Sequence, residues 1–401
     1  MYKKSTKLRF FWTVIGGAAA FSLWAKTPTE PLALEELQAF SEAYYQIKTS
    51  YVKEVDDVTL LRAAINGMVA HLDRHSRYLS PDDFARFNSD NEGEYAGIGL
   101  SFNDHKFGLE IAEVLKNSPA ERAGLEVGMI VTEVGGESIK FKPAEEIYQL
   151  LKGQAGTSIS LTVASTKFPQ PKVIELTREI ILIESVTSKL LDSGVGYIAI
   201  NQFTLHSVEE FKRAVEYLSR SKPLNKLIID LRDNPGGVME VALELADLFI
   251  ARGKLLISAG RAEGASETYY AHSETPFRSM EILVMINEGS ASASEIMAAA
   301  LKDHRRATIF GSDSYGKGSI QSIFALNDKA GMKLTTAEYY SPSGKKIQDV
   351  GVKPNVYYKP ESANLASDSK SRASQSNIST LDASSYSDLE LEQAHQLLIN
   401  L

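Results

Sequence analysis

From about residue 170 onward, short apolar runs alternate with amphipathic segments, and this alternation limits the folds open to the chain. The apolar runs have the length and composition of buried strands, and the amphipathic segments repeat with helical spacing. Strands are predicted at 173–186, 195–203, 227–231, 282–286, 320–326 and 332–340, and helices at 208–218 and 238–250. Such alternation implies a partly parallel sheet with helices on its faces. In that architecture, functional residues gather where strands end.

One apolar run, at 282–286, leads into the small-residue sequence Gly-Ser-Ala-Ser-Ala-Ser-Glu at 289–295 and then into an alanine-rich helix. Ser292 therefore lies at a helix N-terminus, where free N–H groups and the helix dipole favour negative charge. Acyl transfer needs such a place, because an oxyanion develops beside the nucleophile. A serine hydroxyl also needs a base. His304 is twelve residues along the same helix, about 18 Å away at about 1.5 Å per residue, and is out of reach.

Lysine is the other amine that can act as base, if its pKa falls from about 10.4 towards about 7–8. Lys317 lies in Tyr-Gly-Lys-Gly-Ser-Ile-Gln at 315–321, with no acid among its sequence neighbours from 314 to 326. Burial in an apolar cleft would lower its pKa, and Gln321 could hold the amine without adding charge. On residues alone, a helix cap and a solvated turn remain open alternatives.

The two motifs, Ser-Ala-Ser-Ala-Ser-Glu-Ile and Gly-Lys-Gly-Ser-Ile-Gln, resemble the active-site pair of the carboxy-terminal processing peptidases, also called tail-specific proteases. The resemblance extends over nearly the whole chain after residues 1–25, which are called the leader below. It implies that Ser292 is the nucleophile, Lys317 the general base and Gln321 its orienting partner. It implies no metal and no cofactor.

A third motif, Asp-Leu-Arg-Asp-Asn-Pro-Gly-Gly at 230–237, resembles the family loop that completes the oxyanion hole. The resemblance implies that the amide of Gly236 or of Gly237 acts together with the amide of Ala293. Glycine lets the backbone approach a ligand closely, which suits either position. On residues alone, an ordinary strand-to-helix turn is the alternative, with Arg232 and Asp233 paired to hold the loop.

The sequence Gly-Ser-Asp-Ser-Tyr-Gly-Lys-Gly at 311–318 nearly matches a phosphate-binding P-loop. However, glycine stands at 318 where a Ser or Thr would bind magnesium. A strand is predicted to follow, whereas a P-loop requires a helix. A nucleotide site is therefore not expected. Nor is nucleic acid, because the formal charge is −8 and no basic run follows the leader.

The N-terminus has a basic stretch followed by uncharged residues 10–25, as in a secretory signal. Residues 1–25 are therefore predicted to be a cleaved signal peptide or a retained signal anchor. The expected location is the periplasm or outside the cell, with inner-membrane anchoring through residues 10–25 as the variant. Since the chain has no cysteine, neither a lipoprotein anchor nor a disulfide is available.

Residues 30–90 have helical apolar spacing and resemble the family's N-terminal helical region, and residues 91–168 resemble a PDZ domain. Within it, Ser-Pro-Ala-Glu at 118–121 reads as a capping box, Gly-Gly at 135–136 as a hairpin turn, and 143–152 as the helix along the peptide groove. The resemblance implies that backbone N–H groups at one loop receive a peptide's terminal carboxylate, while the next strand pairs with the peptide. The loop residues are Gly97, Ile98, Gly99 and Leu100.

The fold class expected is multidomain α+β: an N-terminal helical segment, a small β-barrel PDZ domain with two helices, and a mixed α/β protease core of ClpP/crotonase type. The core is assigned to 169–358, a serine-rich linker to 361–385 and a C-terminal helix to 386–401, with Ser387 and Glu390 spaced as a capping box. That helix is expected to dock on a neighbouring subunit or to be disordered. By resemblance, the N- and C-terminal helices can build homo-oligomers, and an adaptor or activator can take part.

The function expected is a Ser-Lys serine endopeptidase that processes or degrades exported proteins from near their C-terminus. Its substrates are proteins or peptides with a free C-terminus, captured by the PDZ domain. The alternative is a peptide-binding scaffold whose PDZ domain recruits partners while the protease core stays latent.

Overall fold

The structure, a computed structural model, describes residues 33–165, 167, 170–272, 275–326, 329–359 and 388–401. The predicted leader at 1–25 and the predicted linker at 361–385 lie outside the described residues. The chain divides after Ile65 into two compact units. None of the helices within the described ranges is both long and apolar enough to cross a membrane.

The predicted N-terminal helical region contains three helices and a short strand: α1 (Leu34–Ser50), α2 (Asp57–Ala70), β1 (Arg77–Leu79) and α3 (Pro81–Glu92). In the first unit, α1 buries none of its residues, and Leu37, Phe40 and Ile47 of its apolar stripe stay exposed. In the second unit, α3 is capped by Ser80, whose side chain accepts from Asp83 N–H, and ends at Gly93 in the left-handed conformation.

The next elements form the PDZ domain: β2 (Glu94–Gly97), β3 (Leu100–His105), β4 (Gly108–Val114), α4 (Pro119–Arg122), β5 (Ile130–Val134), β6 (Glu137–Ser138), α5 (Ala144–Leu151), β7 (Ser158–Ala164), β8 (Lys172–Thr177) and β9 (Glu179–Leu182). The main sheet has the order β3-β4-β5-β7-β8, and β2 pairs with β9. Ser118 caps α4 as predicted, and the glycine pair joins β5 to β6. Alternating residues, among them Val131, Leu161 and Val163, fill the PDZ core.

The single strand predicted at 173–186 is wrong: the structure divides it between β8, β9 and the start of β10. β8 is hydrogen bonded to β7, so the PDZ sheet continues past residue 168. Arg178, between β8 and β9, donates from Nε to the carbonyl oxygen of Leu151 at 2.9 Å. This contact ties the strand connection to the end of α5.

The protease core contains β10 (Val186–Leu190), a 3-10 turn (Asp192–Gly194), β11 (Gly196–Ile200), α6 (Ser207–Leu218), β12 (Lys226–Asp230), α7 (Met239–Asp247), β13 (Lys254–Gly260), β14 (Glu267–Tyr270), β15 (Glu281–Ile286), α8 (Ala293–Asp303), β16 (Ala307–Gly311), β17 (Ser319–Ala325), β18 (Gly331–Tyr340), β19 (Val356–Tyr357) and α9 (Leu389–Ile399). The first core sheet has the order β10-β11-β12-β15-β16-β19 and is parallel from β11 onward. The expected partly parallel sheet is confirmed. β13, β14, β16 and β19 were not predicted.

A second core sheet has the order β1-β18-β13-β14, with β17 paired to β18. α8 is buried from Ala293 to Leu301, and it shares one apolar core with residues of both sheets, including Val284 of β15 and Tyr339 of β18. Its alanines suit this position because their small side chains let neighbouring backbones approach closely.

The opposite face of the first sheet is covered by the C-terminal helix. Leu391, Ala394 and Leu398 of α9 are buried against Ile228 and Leu283 of the sheet. The expectation that this helix docks on a neighbouring subunit or is disordered is therefore wrong, because it packs on its own chain. Its cap is Asp388, whose side chain accepts from Leu391 N–H. Ser387, the first residue of the predicted capping box, lies outside the described residues.

Candidate active site

Ser292 lies at a sharp turn between β15 and α8, with φ 55° and ψ −113°. A positive φ is uncommon for a residue with a side chain, and such strain clusters at functional sites. Neighbouring serines hold the turn to the loop after β12: Ser290 Oγ donates to the carbonyl oxygen of Leu231 at 2.7 Å, and Ser294 Oγ donates to that of Asn234 at 2.9 Å. The turn and the glycine loop therefore form one hydrogen-bonded unit.

The buried carboxylate of Glu295 joins the serine turn to the lysine loop. Its side chain accepts from the N–H groups of Ser292 at 2.9 Å, Gly316 at 2.7 Å and Lys317 at 2.8 Å. The hydroxyl of Ser314 donates to it as well, at 2.5 Å. The sequence shows no acid near Lys317 along the chain, but the fold brings one to it from the first turn of α8.

Lys317 and Ser292 line the same cavity, whose volume is about 350 Å³. Burial lowers the pKa of the Lys317 amine from its ordinary value of 10.5, and the nearby charge of Glu295 partly opposes this shift. Desolvation disfavours the ammonium form of lysine. The direction of this shift agrees with the lowering of the Lys317 pKa that burial was expected to cause.

Gln321 also lines this cavity. Its amide nitrogen donates to Ser319 Oγ at 2.8 Å and approaches Thr335 Oγ1 at 3.4 Å. These contacts place the amide on β17 and β18, the strands that follow the lysine loop. The role of Gln321 as the partner of the Lys317 amine stays a prediction.

The two candidate glycines of the loop after β12 differ in their hydrogen bonds. Gly236 N–H donates to Asn234 Oδ1 at 2.8 Å, whereas its carbonyl oxygen accepts from Phe203 N–H. Phe203 also accepts from Val238 N–H, so Gly237 forms a parallel bridge with Phe203. In such a parallel bridge the hydrogen bonds are made by the residues on either side of the middle residue, here Gly236 and Val238. The N–H of the middle residue, Gly237, points to the other side. Gly237 lines the cavity with Ser292.

Close packing explains why this loop requires glycine. A Cβ on Gly236 would lie 2.8 Å from Ser292 Cβ and 3.0 Å from the Ala293 nitrogen. Both distances are shorter than ordinary contacts, and the φ of Gly236 is 109°. The amide of Ala293, at the start of α8, therefore lies directly beside the glycine loop.

The predicted pair of Arg232 with Asp233 is wrong. Arg232 Nη2 pairs with Asp230 at 2.7 Å and with Asp388 at 2.5 Å, and its Nη1 pairs with Glu390 at 2.9 Å. Asp233 instead accepts from Asn287 Nδ2 at 3.0 Å. Arg232 thus links the loop after β12 to the start of the C-terminal helix. The residues in contact are more than 150 positions apart, so the local sequence does not indicate the contact.

Three residues of the site were missed by the sequence analysis. Glu295 was noted only as a motif residue, although a Ser-x-x-Glu spacing at a helix start could have indicated its reach to the N-cap N–H. The hydroxyl of Tyr339 donates to the carbonyl oxygen of Ser292 at 3.1 Å and contacts that of Lys317. Lys333 lines the cavity from β18, and nothing in the local sequence marks it.

The structure does not support His304 as a base for Ser292 or a P-loop at 311–318. His304 Nε2 contacts the carbonyl oxygen of Lys254 at 2.7 Å, on the far end of α8 from Ser292. The segment after the P-loop-like sequence is strand β17, as predicted, and not the helix that a P-loop requires.

The residues predicted to bind a peptide carboxylate run from Gly97, the last residue of β2, to Leu100, the first residue of β3. Ile98 is buried and its carbonyl oxygen accepts from Ala120 N–H at 2.9 Å. Gly99 has φ 81°, and a Cβ there would lie 2.1 Å from Ser118 Cβ. β3 is at one edge of its sheet, with β4 as its neighbour. An edge strand of this kind can accept an added peptide strand.

Three family models match the chain. The model of peptidase family S41 matches residues 194–358, a PDZ domain model matches 110–165, and the model of the activating protease CtpB N-terminal domain matches 19–82. The predicted PDZ domain and mixed α/β core are thereby confirmed.

Similar proteins include a carboxy-terminal-processing protease of Bartonella bacilliformis, 34% identical over 333 residues, which cover 82% of this chain and 76% of the relative. A probable CtpA-like serine protease of Staphylococcus aureus is 34% identical over 322 residues, which cover 80% of this chain and 64% of the relative. Among solved structures, a photosystem II D1 C-terminal processing protease is 26% identical, with a TM-score of 0.49 and coverage of 81% of this chain and 94% of that one.

Proposed function

Because the chain belongs to peptidase family S41 and is a serine endopeptidase related to carboxy-terminal-processing proteases, we propose that it cleaves polypeptides with a Ser292–Lys317 dyad. The observation that carries the proposal is the Glu295 carboxylate, which accepts from the backbone N–H groups of both residues. A shared buried acceptor fixes two separate loops relative to one another, and acyl transfer depends on such positioning.

In the proposed reaction the neutral Lys317 amine removes the proton from Ser292 Oγ as that oxygen bonds to the substrate carbonyl carbon. The resulting ammonium then gives this proton to the departing amine as the peptide C–N bond breaks, which leaves an acyl-enzyme. Water attacks the acyl-enzyme with the same amine as base, and the carboxylic acid product leaves. Because the amine must start neutral, the lowered pKa of Lys317 supports this role.

For the oxyanion we propose the amide of Gly237 together with that of Ala293. Gly236 N–H is already used by Asn234, whereas Gly237 lines the cavity and lies in a bridge that turns its N–H away from Phe203. The loop also lies against the Ala293 nitrogen. Two backbone donors that meet beside a nucleophile suit a developing oxyanion.

For substrate selection we propose that the PDZ domain captures a free C-terminus at residues 97–100 and pairs the peptide with β3. The edge position of β3 supports this mode. We further propose that the substrates are exported proteins, on the basis of the basic and then uncharged stretch at the N-terminus. The chain spans 64% of the length of the staphylococcal relatives.

The dyad is tested with Ser292→Ala, Lys317→Met and Lys317→Arg, assayed on an unfolded protein substrate with a free C-terminus. The two Lys317 variants are expected to lose activity by about 10²–10⁴-fold or more, the usual contribution of a general base. Ser292→Ala is expected to lose at least as much, because it removes the nucleophile. Lys317→Arg is included because a guanidinium stays charged and cannot act as base. The control is Lys345→Met, which removes an exposed lysine. Unchanged cleavage by Lys317→Met would refute the dyad. A protein that binds C-terminal peptides without turnover would instead be a scaffold.

A further inference from the structure

A second lysine lies in the catalytic cavity and takes no part in the mechanism proposed above. Lys333 is on β18, in register with Arg77 of β1 and Ile323 of β17. Its side chain lines the cavity together with Ser292 and Lys317. Its amine is 5.5 Å from the centre of the Phe87 ring, which also lines the cavity.

The surroundings of this amine are cationic. Burial, together with the charges of Lys317 and Arg77, lowers the pKa of Lys333 to about 8. Burial and then the charges of Lys317, Arg74 and Lys333 lower the pKa of the nearby His75, whereas the Asp73 carboxylate opposes this shift. Among the described residues, the groups that act on the Lys333 charge include no carboxylate. The ring of Phe87 gives it only a weak cation–π contact.

A partly buried cation without a counter-charge is costly. At neutral pH, an amine with a pKa of about 8 is still mostly protonated. A carboxylate would offset this cost, because it would bring a negative charge and accept a charge-assisted hydrogen bond from the amine. The natural source of carboxylates in a peptidase cleft is the bound polypeptide itself.

We propose that Lys333 binds a carboxylate of the bound substrate and thereby determines which polypeptides are cut at Ser292. The inference rests on the proposed function of the cavity and adds a substrate class to it. The carboxylate is either an Asp or Glu side chain near the cleaved bond or the α-carboxylate of a short C-terminal tail. Lys333 is thus a specificity-determining residue, distinct from the base Lys317, which Glu295 holds through its backbone N–H.

The test uses ten-residue peptides that carry one Glu at successive positions, each with a Gln counterpart, and each as free acid and as C-terminal amide. They are offered to the wild-type protein, to Lys333→Met, to Lys333→Arg and to the control Lys222→Met, which removes an exposed lysine outside the cavity. The Glu/Gln and acid/amide ratios of kcat/KM identify the carboxylate that is read. The neutral peptide reports whether each variant still has a working site.

The wild type is expected to prefer one acidic member of the set by at least about tenfold, the gain of a charge-assisted hydrogen bond. Lys333→Met should abolish that preference, so that the acidic peptide and its neutral counterpart are cut with equal kcat/KM. Lys333→Arg should keep much of the preference, and Lys222→Met all of it. If Lys333→Met slows acidic and neutral peptides equally, or if the preference persists in it, the inference is overturned.

The same pairs are also titrated against Ser292→Ala proteins with and without Lys333→Met, so that binding is measured without turnover. If the proposed peptidase reaction fails, no variant will cut any peptide, yet the binding ratio still decides the role of Lys333. A preference in Kd that disappears with Lys333→Met supports carboxylate binding. Equal Kd values for the two backgrounds refute it.

Discussion

At the scale of single residues, Glu295 connects the two halves of the site. Its side chain is fully buried and accepts from three backbone N–H groups and one hydroxyl. A carboxylate can take several donors at once because both of its oxygens accept. The serine turn and the lysine loop therefore share a single anchor that neither loop could supply alone.

Glu295→Gln replaces one accepting oxygen with an NH₂ group, which donates. Some of the N–H and O–H donors then face another donor and lose their hydrogen bond. We expect a loss of about 1.5–3 kcal/mol for each charged hydrogen bond that is broken, and at least a tenfold fall in kcat. The charge of Glu295 raises the pKa of Lys317, so its removal should lower that pKa. The rising limb of the pH–activity profile should then move to lower pH.

This prediction is checked by urea unfolding and by pH–rate profiles, with Glu288→Gln as control. Glu288 is exposed on the same turn segment and accepts from Ser312 at 3.1 Å. The control should leave both measurements nearly unchanged. A Glu295→Gln profile that keeps its position on the pH axis would contradict an electrostatic effect on Lys317.

Lys317→Met should abolish turnover and yet raise the free energy of unfolding at neutral pH. The folded state lowers the pKa of Lys317 below its ordinary value of 10.5, so the unfolded chain binds more protons between the two values. Stability of the wild type therefore rises with pH over that interval. The variant lacks this titration, so its advantage should shrink as the pH approaches 10.5. Urea unfolding of both proteins at pH about 7 and about 10 measures the difference; a variant less stable at both would contradict it.

At the scale of elements, the parallel sheet could be predicted because its strands are buried on both faces. Leu227 and Ile229 of β12 face one apolar core, whereas Ile228 between them faces the other. A strand covered on both faces reads as a continuous apolar run. Ser292 and the glycine loop follow neighbouring parallel strands, so their meeting at one sheet edge was also predictable.

The missed elements have weaker local patterns. β13 and β14 form part of the second sheet, where β14 has no fully buried residue. The C-terminal helix was predicted to exist, but its packing on its own chain was not predicted, because its partners on β12 and β15 are more than 100 residues away. Its docking depends on complementary surfaces and on Arg232, which no short segment reveals.

Leu398→Ala is expected to lower the free energy of unfolding by about 2–5 kcal/mol, as for other buried leucines. Leu398 is 1% exposed between α9 and the sheet, so its removal leaves a cavity. Leu389→Ala on the same helix is the control, since Leu389 is 55% exposed, and it should change stability by less than about 0.5 kcal/mol. Denaturation with guanidinium compares the two. Equal effects would show that α9 does not pack on the sheet in solution.

At the scale of the whole molecule, a short stretch of chain joins the PDZ loop at residues 97–100 to the cavity that Ser292 and Lys317 line. Phe87 and Asn91 of α3 line the cavity, and β2 follows directly and ends at Gly97. Around this joint, Leu205 N–H donates to the carbonyl oxygen of Asn91, and Ile183 N–H donates to that of Gly93. Residues 97–100, where we propose that a peptide binds, therefore follow closely along the chain after the helix that forms one wall of the cavity.

Cleavage should depend on a free substrate C-terminus, and Gly99→Ala should remove that dependence. An added Cβ at this position would lie 2.1 Å from Ser118 Cβ, and the φ of 81° disfavours any side chain. The loop must then shift, and its N–H groups no longer meet a carboxylate. For an unfolded substrate and its C-terminally amidated form, the wild-type ratio of kcat/KM should be well above one and the variant ratio close to one.

Gly124→Ala, at a φ of 75° but with open space around it, is the matched control for backbone strain and should keep the wild-type ratio. If Gly99→Ala still discriminates acid from amide, the carboxylate is read elsewhere, and Lys333 in the catalytic cavity becomes the first position to examine.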